Sequence, residues 1–132
     1  MKILKVLPKL LAGVVATILF MQSALAQDDA AMAAMKQVAD IVSSLNHFPT
    51  DEDKAVLSEI SGNEGMPEGL RNIADTIANI SHAATDEGKA QMAEIQANPD
   101  APEAAKALAG IIASFNHMAS DDDKATLMEM FP

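Results

Sequence analysis

The sequence predicts an all-α protein made of three 35-residue helix-turn-helix repeats, six helices in all, forming a small helical-repeat domain or bundle. Segments 40–60, 75–95 and 110–130 are near-copies of one another, and a fixed period of this size is typical of stacked helical repeats. Within each copy, apolar residues recur at the spacing of one helix face. Five residues are identical in every copy: His47/His82/His117, Asp51/Asp86/Asp121, Lys54/Lys89/Lys124, Ala55/Ala90/Ala125 and Glu59/Glu94/Glu129.

The first 26 residues have the pattern of a cleaved secretory signal peptide. Three lysines precede an apolar run over 10–20, and Ala24-Leu25-Ala26 then forms a small-x-small cleavage site. The apolar run has 11 residues, whereas a membrane-spanning helix needs about 20, so we expect no stable membrane anchor after cleavage. This pattern predicts a periplasmic or secreted protein of a Gram-negative bacterium.

Residues 27–132 have the length of one helical-repeat domain, with repeats at about 29–62, 66–97 and 101–131. This part of the chain carries six basic and 19 acidic residues, a formal net charge of −13. Nucleic acids and anionic lipid surfaces attract basic patches, so neither is an expected partner. Because the sequence has no cysteine, its stability must come from helix packing rather than from disulfides.

The first helix of each repeat is expected at about 29–47, 67–82 and 102–117. Pro67 and Pro102 favour helix starts, and the glutamate after each places negative charge at the positive end of the helix dipole. These helices should supply the main core, for which the apolar spacing predicts Val38, Val42, Leu45, Ile73, Ile77, Ile80, Leu108, Ile112 and Phe115.

The second helices are expected at about 51–61, 86–97 and 121–130. Each follows an N-cap candidate: Thr50, Thr85 and Ser120. Asp53 and Asp123 stand where the partner residue of a capping box belongs, and Gly88 replaces that residue in the second repeat. The predicted inward residues of the first of these helices are Ala55, Leu57 and Ile60, with their counterparts in the other two.

The three repeated histidines have a structural and a functional interpretation. On the first, each imidazole donates to the free carbonyls at the end of its own helix. On the second, the histidines bind Zn²⁺, Cu²⁺ or Ni²⁺, which imidazole suits. Regularly stacked repeats lie about 8–10 Å apart, too far to share one ion. A site would therefore form within each repeat or by an irregular closure of the three, with candidate ligands His47, His82, His117, Asp51, Asp86 and Asp121.

The other polar and sulfur-bearing residues are interpreted chiefly as structural. Acidic clusters at the helix starts compensate the helix dipole, and each repeated lysine should pair with the aspartate three residues before it. The repeat-defining surface consists of Lys54, Lys89, Lys124, Glu59, Glu94 and Glu129. Met118, Met128 and Met130 lie near His117 in sequence and raise copper as a further alternative, because thioethers suit Cu(I).

Catalysis has little support, because the chain has no cysteine or tyrosine, one arginine, no glycine-rich phosphate loop and no metalloprotease motif. The sequence favours a non-catalytic, exported interaction or accessory module with an acidic surface and no cofactor. Its unknown protein partner would be basic or would expose an apolar segment. The alternative is a periplasmic metal-binding or metal-buffering protein that uses one histidine and nearby acids in each repeat.

The cleavage site gives a first testable prediction. We expect the exported protein to begin at Gln27, because the small-x-small motif ends at Ala26. N-terminal sequencing of periplasmic material checks this, and material that begins at Met1, or several residues from Gln27, would contradict it.

Overall fold

The computed structural model describes residues 29–132, so the predicted signal peptide lies outside the described residues. Over this range the regular elements are all α-helices, which confirms the predicted fold class. Among the described helices, none combines the length and the hydropathy that a membrane span requires. The helices are α1 (29–44), α2 (Asp51–Ser61), α3 (Glu68–Ala78), α4 (Asp86–Ala97), α5 (Glu103–Ser114) and α6 (Asp121–Met130).

The second helices, α2, α4 and α6, have the bounds that the sequence predicts, because strong local signals fix their starts. The Thr50 hydroxyl accepts the Asp53 N–H at 3.1 Å, and the Asp53 carboxylate accepts the Thr50 N–H at 3.2 Å, a complete capping box. Thr85 and Ser120 cap α4 and α6 through their hydroxyls. All three N-cap predictions are thus confirmed.

Gly88 replaces the capping-box residue in α4 because α3 lies close to it. The glycine is buried, and a Cβ at this position would lie 2.7 Å from Cγ2 of Thr76. Thr76 is itself buried and donates its hydroxyl proton to Gln91 at 3.4 Å. The second repeat therefore has an incomplete capping box where its two helices make close contact.

The first helices end earlier than predicted. They stop at residues 44, 78 and 114, three or four residues before the histidines. The apolar spacing continues past these ends, because Leu45, Ile80 and Phe115 are buried although they lie outside the helices. Because these buried turn residues continue the apolar spacing of the helix, the sequence predicts one more helical turn than the structure has.

The nine residues predicted to form the core are all buried, and Ile73, Ile77 and Leu108 have no exposed surface. In the second helices, Leu57 and Ile60 are buried as predicted, but Ala55 is exposed. The prediction for Ala55 and its counterparts Ala90 and Ala125 was wrong. A helix turns about 100° per residue, so positions 55 and 57 point roughly 200° apart and cannot both face the core.

The repeats form a closed arrangement. Helix α2 packs mainly on α3, and α4 mainly on α5, so the second helix of one repeat packs on the first helix of the next. Lys36 in α1 donates to the carbonyls of Phe131 at 3.2 Å and Pro132 at 3.1 Å, which joins α1 to the chain end after α6. The third repeat is therefore in contact with the first.

The expected ion pairs between the repeated lysines and aspartates are absent. Among the described residues, the only salt bridge joins Lys106 and Glu103 at 3.6 Å. The repeated lysines and glutamates do lie at the surface, with Lys124 half-buried and the rest exposed. Exposed pairs of this kind contribute little to stability, so their absence costs little.

Ile77 tests the buried core. We expect Ile77→Ala to lower the free energy of unfolding by about 2–5 kcal/mol, because this fully buried side chain would leave a cavity in α3. Urea unfolding measures the change, and Met128→Ala is the control because 73% of that side chain is exposed. Equal effects of the two substitutions would contradict the described core.

Candidate metal centre

The three turns that join the helices within the repeats have the same alternation of buried and exposed residues. A buried apolar residue comes two positions before each histidine, and another comes two positions after it. The histidine and its neighbours are thereby held at the surface between two anchors in the core. These anchors are Leu45 and Pro49, Ile80 and Ala84, and Phe115 and Ala119.

The backbones of the three histidines form a closed triangle of hydrogen bonds. The His47 N–H donates to the His117 carbonyl at 2.6 Å, and the His82 N–H donates to the His47 carbonyl at 2.6 Å. The His117 N–H then donates to the His82 carbonyl at 2.5 Å. Each histidine gives one donor and one acceptor, so the three repeats are joined in a ring at this point.

The histidines have an unusual backbone conformation. Their φ angles are 69°, 69° and 67°, and among the described residues no other non-glycine residue has a positive φ. Such a conformation costs on the order of 1–3 kcal/mol per residue and persists only where the surrounding structure enforces it. Three of these residues in one place therefore indicate a candidate functional site.

The imidazole rings converge on one another. All three pairs of ring centroids are 5.2 Å apart, with the planes at 79–90° to each other. Each ring offers one nitrogen that lies within 4.8 Å of the nitrogens from the other two. His82 and His117 are exposed and His47 is half-buried, so the cluster opens at the surface.

This geometry is close to what a shared metal ion requires. Three imidazole nitrogens at about 2.0–2.1 Å from a tetrahedral ion put the ring centres roughly 5 Å apart and the nitrogens roughly 3.3 Å apart. The ring separation of 5.2 Å meets this condition. Rotation about χ2, which is a soft torsion in histidine, can adjust the distances between the nitrogens.

Each imidazole contacts the side chain of the residue before it. The amide oxygens of Asn46 and Asn116 contact Nδ1 of His47 and His117, the latter at 2.5 Å. In the second repeat, the Ser81 hydroxyl lies 3.5 Å from Nδ1 of His82. The expected contacts of the imidazoles with the carbonyls of their own helices are replaced by these contacts, because the helices end before the histidines.

The six candidate ligands thus separate into two sets. The histidines come together, whereas Asp51, Asp86 and Asp121 are exposed at the first positions of α2, α4 and α6. The converging group contains no carboxylate. Of the two arrangements that the sequence allows, a site within each repeat and a site formed by closure of the three, the histidines have the second. The equal spacing of the identical turns is the sequence signal that favours closure around an axis.

The sulfur-bearing residues considered as copper ligands differ in burial. Met118 follows His117 directly and is 49% exposed, and Met128 is exposed on α6. Met130 packs against the hydrophobic core. Of the three, Met118 is the one that lies beside a histidine in the chain.

Comparison with known proteins returns no match to any family model, curated protein or solved structure.

The positive φ of the histidines gives a prediction that does not involve metal. We expect His82→Val to destabilise the metal-free protein by about 1–3 kcal/mol more than His82→Asn, because asparagine tolerates positive φ and a β-branched residue does not. Urea unfolding in the presence of a chelator measures the difference. Ala83→Val and Ala83→Asn form the matched control pair, because Ala83 has no positive φ. A difference as large at position 83 would show that backbone strain is not the cause.

Proposed function

We propose that this protein is an exported metal-binding protein that holds one divalent transition-metal ion with His47, His82 and His117. The observation that carries the proposal is the convergence of three imidazole nitrogens within 4.8 Å of one another at the surface. Neutral imidazole is a good ligand for Zn²⁺, Cu²⁺ and Ni²⁺.

The arrangement is easier to explain with an ion than without one. The three histidines have a strained backbone, and their ring centroids lie only 5.2 Å apart. An ion coordinated by the three imidazoles would supply three favourable bonds that offset this strain. Metal binding thus gives a physical reason for keeping identical histidines at this point of all three repeats.

The number of ligands favours an exchangeable ion. Structural zinc sites have four protein ligands, whereas sites with three keep a position for water or an external ligand. Here the histidines are the three ligands, and two of them are exposed. This supports metal carriage or buffering rather than a purely structural site.

The charge of the chain supports the same proposal. Residues 27–132 carry a formal net charge of −13, and a field of this sign raises the local concentration of cations. The acidic residues at the helix starts contribute to the field without being ligands. The imidazoles then supply the specific coordination.

A second candidate is the non-catalytic interaction module, which the exposed apolar residues beside the histidines favour. Phe48 is 59% exposed and Met118 is 49% exposed, and each directly follows a histidine of the cluster. A partner with a basic or apolar segment fits an acidic chain that exposes these side chains. Metal analysis of the isolated protein distinguishes this candidate, which needs no ion.

Stoichiometry tests the proposed site. We expect titration with Zn²⁺ or Co²⁺ to give one ion per chain, because all three histidines form one cluster. His82→Gln should weaken binding by more than the roughly 10–100-fold that loss of an outer-shell partner costs, because it removes a direct ligand. Isothermal titration calorimetry and the visible spectrum of the Co²⁺ form are the measurements.

The matched control for this titration is the triple variant Asp51→Asn/Asp86→Asn/Asp121→Asn, which should still bind one ion. Stabilisation by the ion should be present at about pH 8 and lost at about pH 5.5 or with a chelator, because ligation needs neutral imidazole. Binding of three ions per chain, with loss in the triple variant, would instead indicate a histidine–aspartate site in each repeat. The absence of stoichiometric metal would refute the proposal.

A further inference from the structure

We propose that Asn46 and Asn116 are positioning residues that prepare His47 and His117 to bind the ion through Nε2. His82 lacks such a partner, so it is the adjustable ligand of the three. This inference rests on the proposed metal-binding function and assigns the coordinating atoms and the residues that orient them.

The contacts at Nδ1 determine which nitrogen is free. An amide oxygen only accepts hydrogen bonds, so the contacts of Nδ1 with the oxygens of Asn46 and Asn116 favour the tautomer that carries its proton on Nδ1. A neutral imidazole has one N–H, and Nε2 then holds the lone pair that binds a metal. Metal-binding histidines commonly donate their other N–H to an oxygen in this way.

The backbone holds each asparagine in place against its histidine. The N–H of Phe48 donates to the Asn46 carbonyl at 2.8 Å, which closes a tight turn around His47. The N–H of Met118 donates to the Asn116 carbonyl at 2.8 Å in the same way. In both turns the histidine at the centre has a positive φ.

The second repeat differs both in its turn hydrogen bond and in the side chain that contacts Nδ1. Its turn hydrogen bond runs in the opposite direction, from the Ser81 N–H to the Ala83 carbonyl at 3.2 Å. The Ser81 hydroxyl lies 3.5 Å from Nδ1 of His82, at the limit of a hydrogen bond, and a hydroxyl can either donate or accept. Nothing at this position therefore selects one tautomer of His82.

The first test is the tautomer of each histidine in the metal-free protein, measured on the neutral imidazoles. Nitrogen-15 NMR of the imidazoles identifies which nitrogen carries the proton. We expect the Nδ1–H form at His47 and His117 and a mixture at His82. Ser81→Asn should shift His82 to the Nδ1–H form, a change that a merely structural role for residue 81 would not produce.

The second test is zinc affinity. Asn46→Ala and Asn116→Ala should each weaken Zn²⁺ binding by about 10–100-fold, because the free imidazole is no longer held in the binding tautomer and orientation. Ser81→Asn should tighten it. Asn72→Ala, which changes an asparagine on α3 outside the histidine turns, is the matched control and should bind as wild type.

The two measurements separate failure of this inference from failure of the proposed function. Wild-type zinc binding combined with Nε2–H tautomers at His47 and His117, or with unchanged affinity in the asparagine variants, overturns the positioning role and leaves the metal site intact. The expected tautomers with no zinc binding overturn both. The expected tautomers, weaker binding in the alanine variants and tighter binding in Ser81→Asn together support the assignment.

Discussion

The backbone N–H and C=O groups of His47, His82 and His117 are paired with groups from the other two repeats. Backbone polar groups must find partners when a chain folds, and here each repeat satisfies those of the others. An open stack would leave an unpaired donor at one end and an unpaired acceptor at the other. In the closed triangle, each of these donors and acceptors has a partner. The hydrogen bonds of Lys36 with the backbone oxygens of Phe131 and Pro132 likewise join the first repeat to the third. Ring closure is thus the constraint on which the rest of the domain depends.

The convergence of the imidazoles follows from this constraint. Direct hydrogen bonds between three backbones bring the attached side chains much closer than the roughly 8–10 Å between packed helices. The histidines adopt a positive φ in the backbone triangle, and their imidazole centroids lie 5.2 Å apart in all three pairs. A cluster that helix packing alone could not produce therefore results from three identical turns that meet at one point.

A sequence-based prediction is accurate here when the feature depends on residues close to it in the chain. The starts of α2, α4 and α6 were predicted because Thr50, Thr85 and Ser120 act on their own helices. The nine core residues were predicted because burial follows the apolar spacing. The ends of the first helices were overestimated because buried turn residues continue that spacing. The meeting of the histidines could not be predicted from one repeat, since the distance between repeats depends on whether the stack is straight or closed.

The differences between repeats are as informative as the identities. A shared ion needs a histidine from every repeat, and this residue is the same in all three. The residue before it needs only to orient its own ring, and there the second repeat has Ser81 in place of asparagine. If all three rings were fixed, the ion would be held in one rigid geometry. Under the proposed metal-binding function, the ligand without a fixed tautomer is the one that can adjust its orientation while the ion is captured or released.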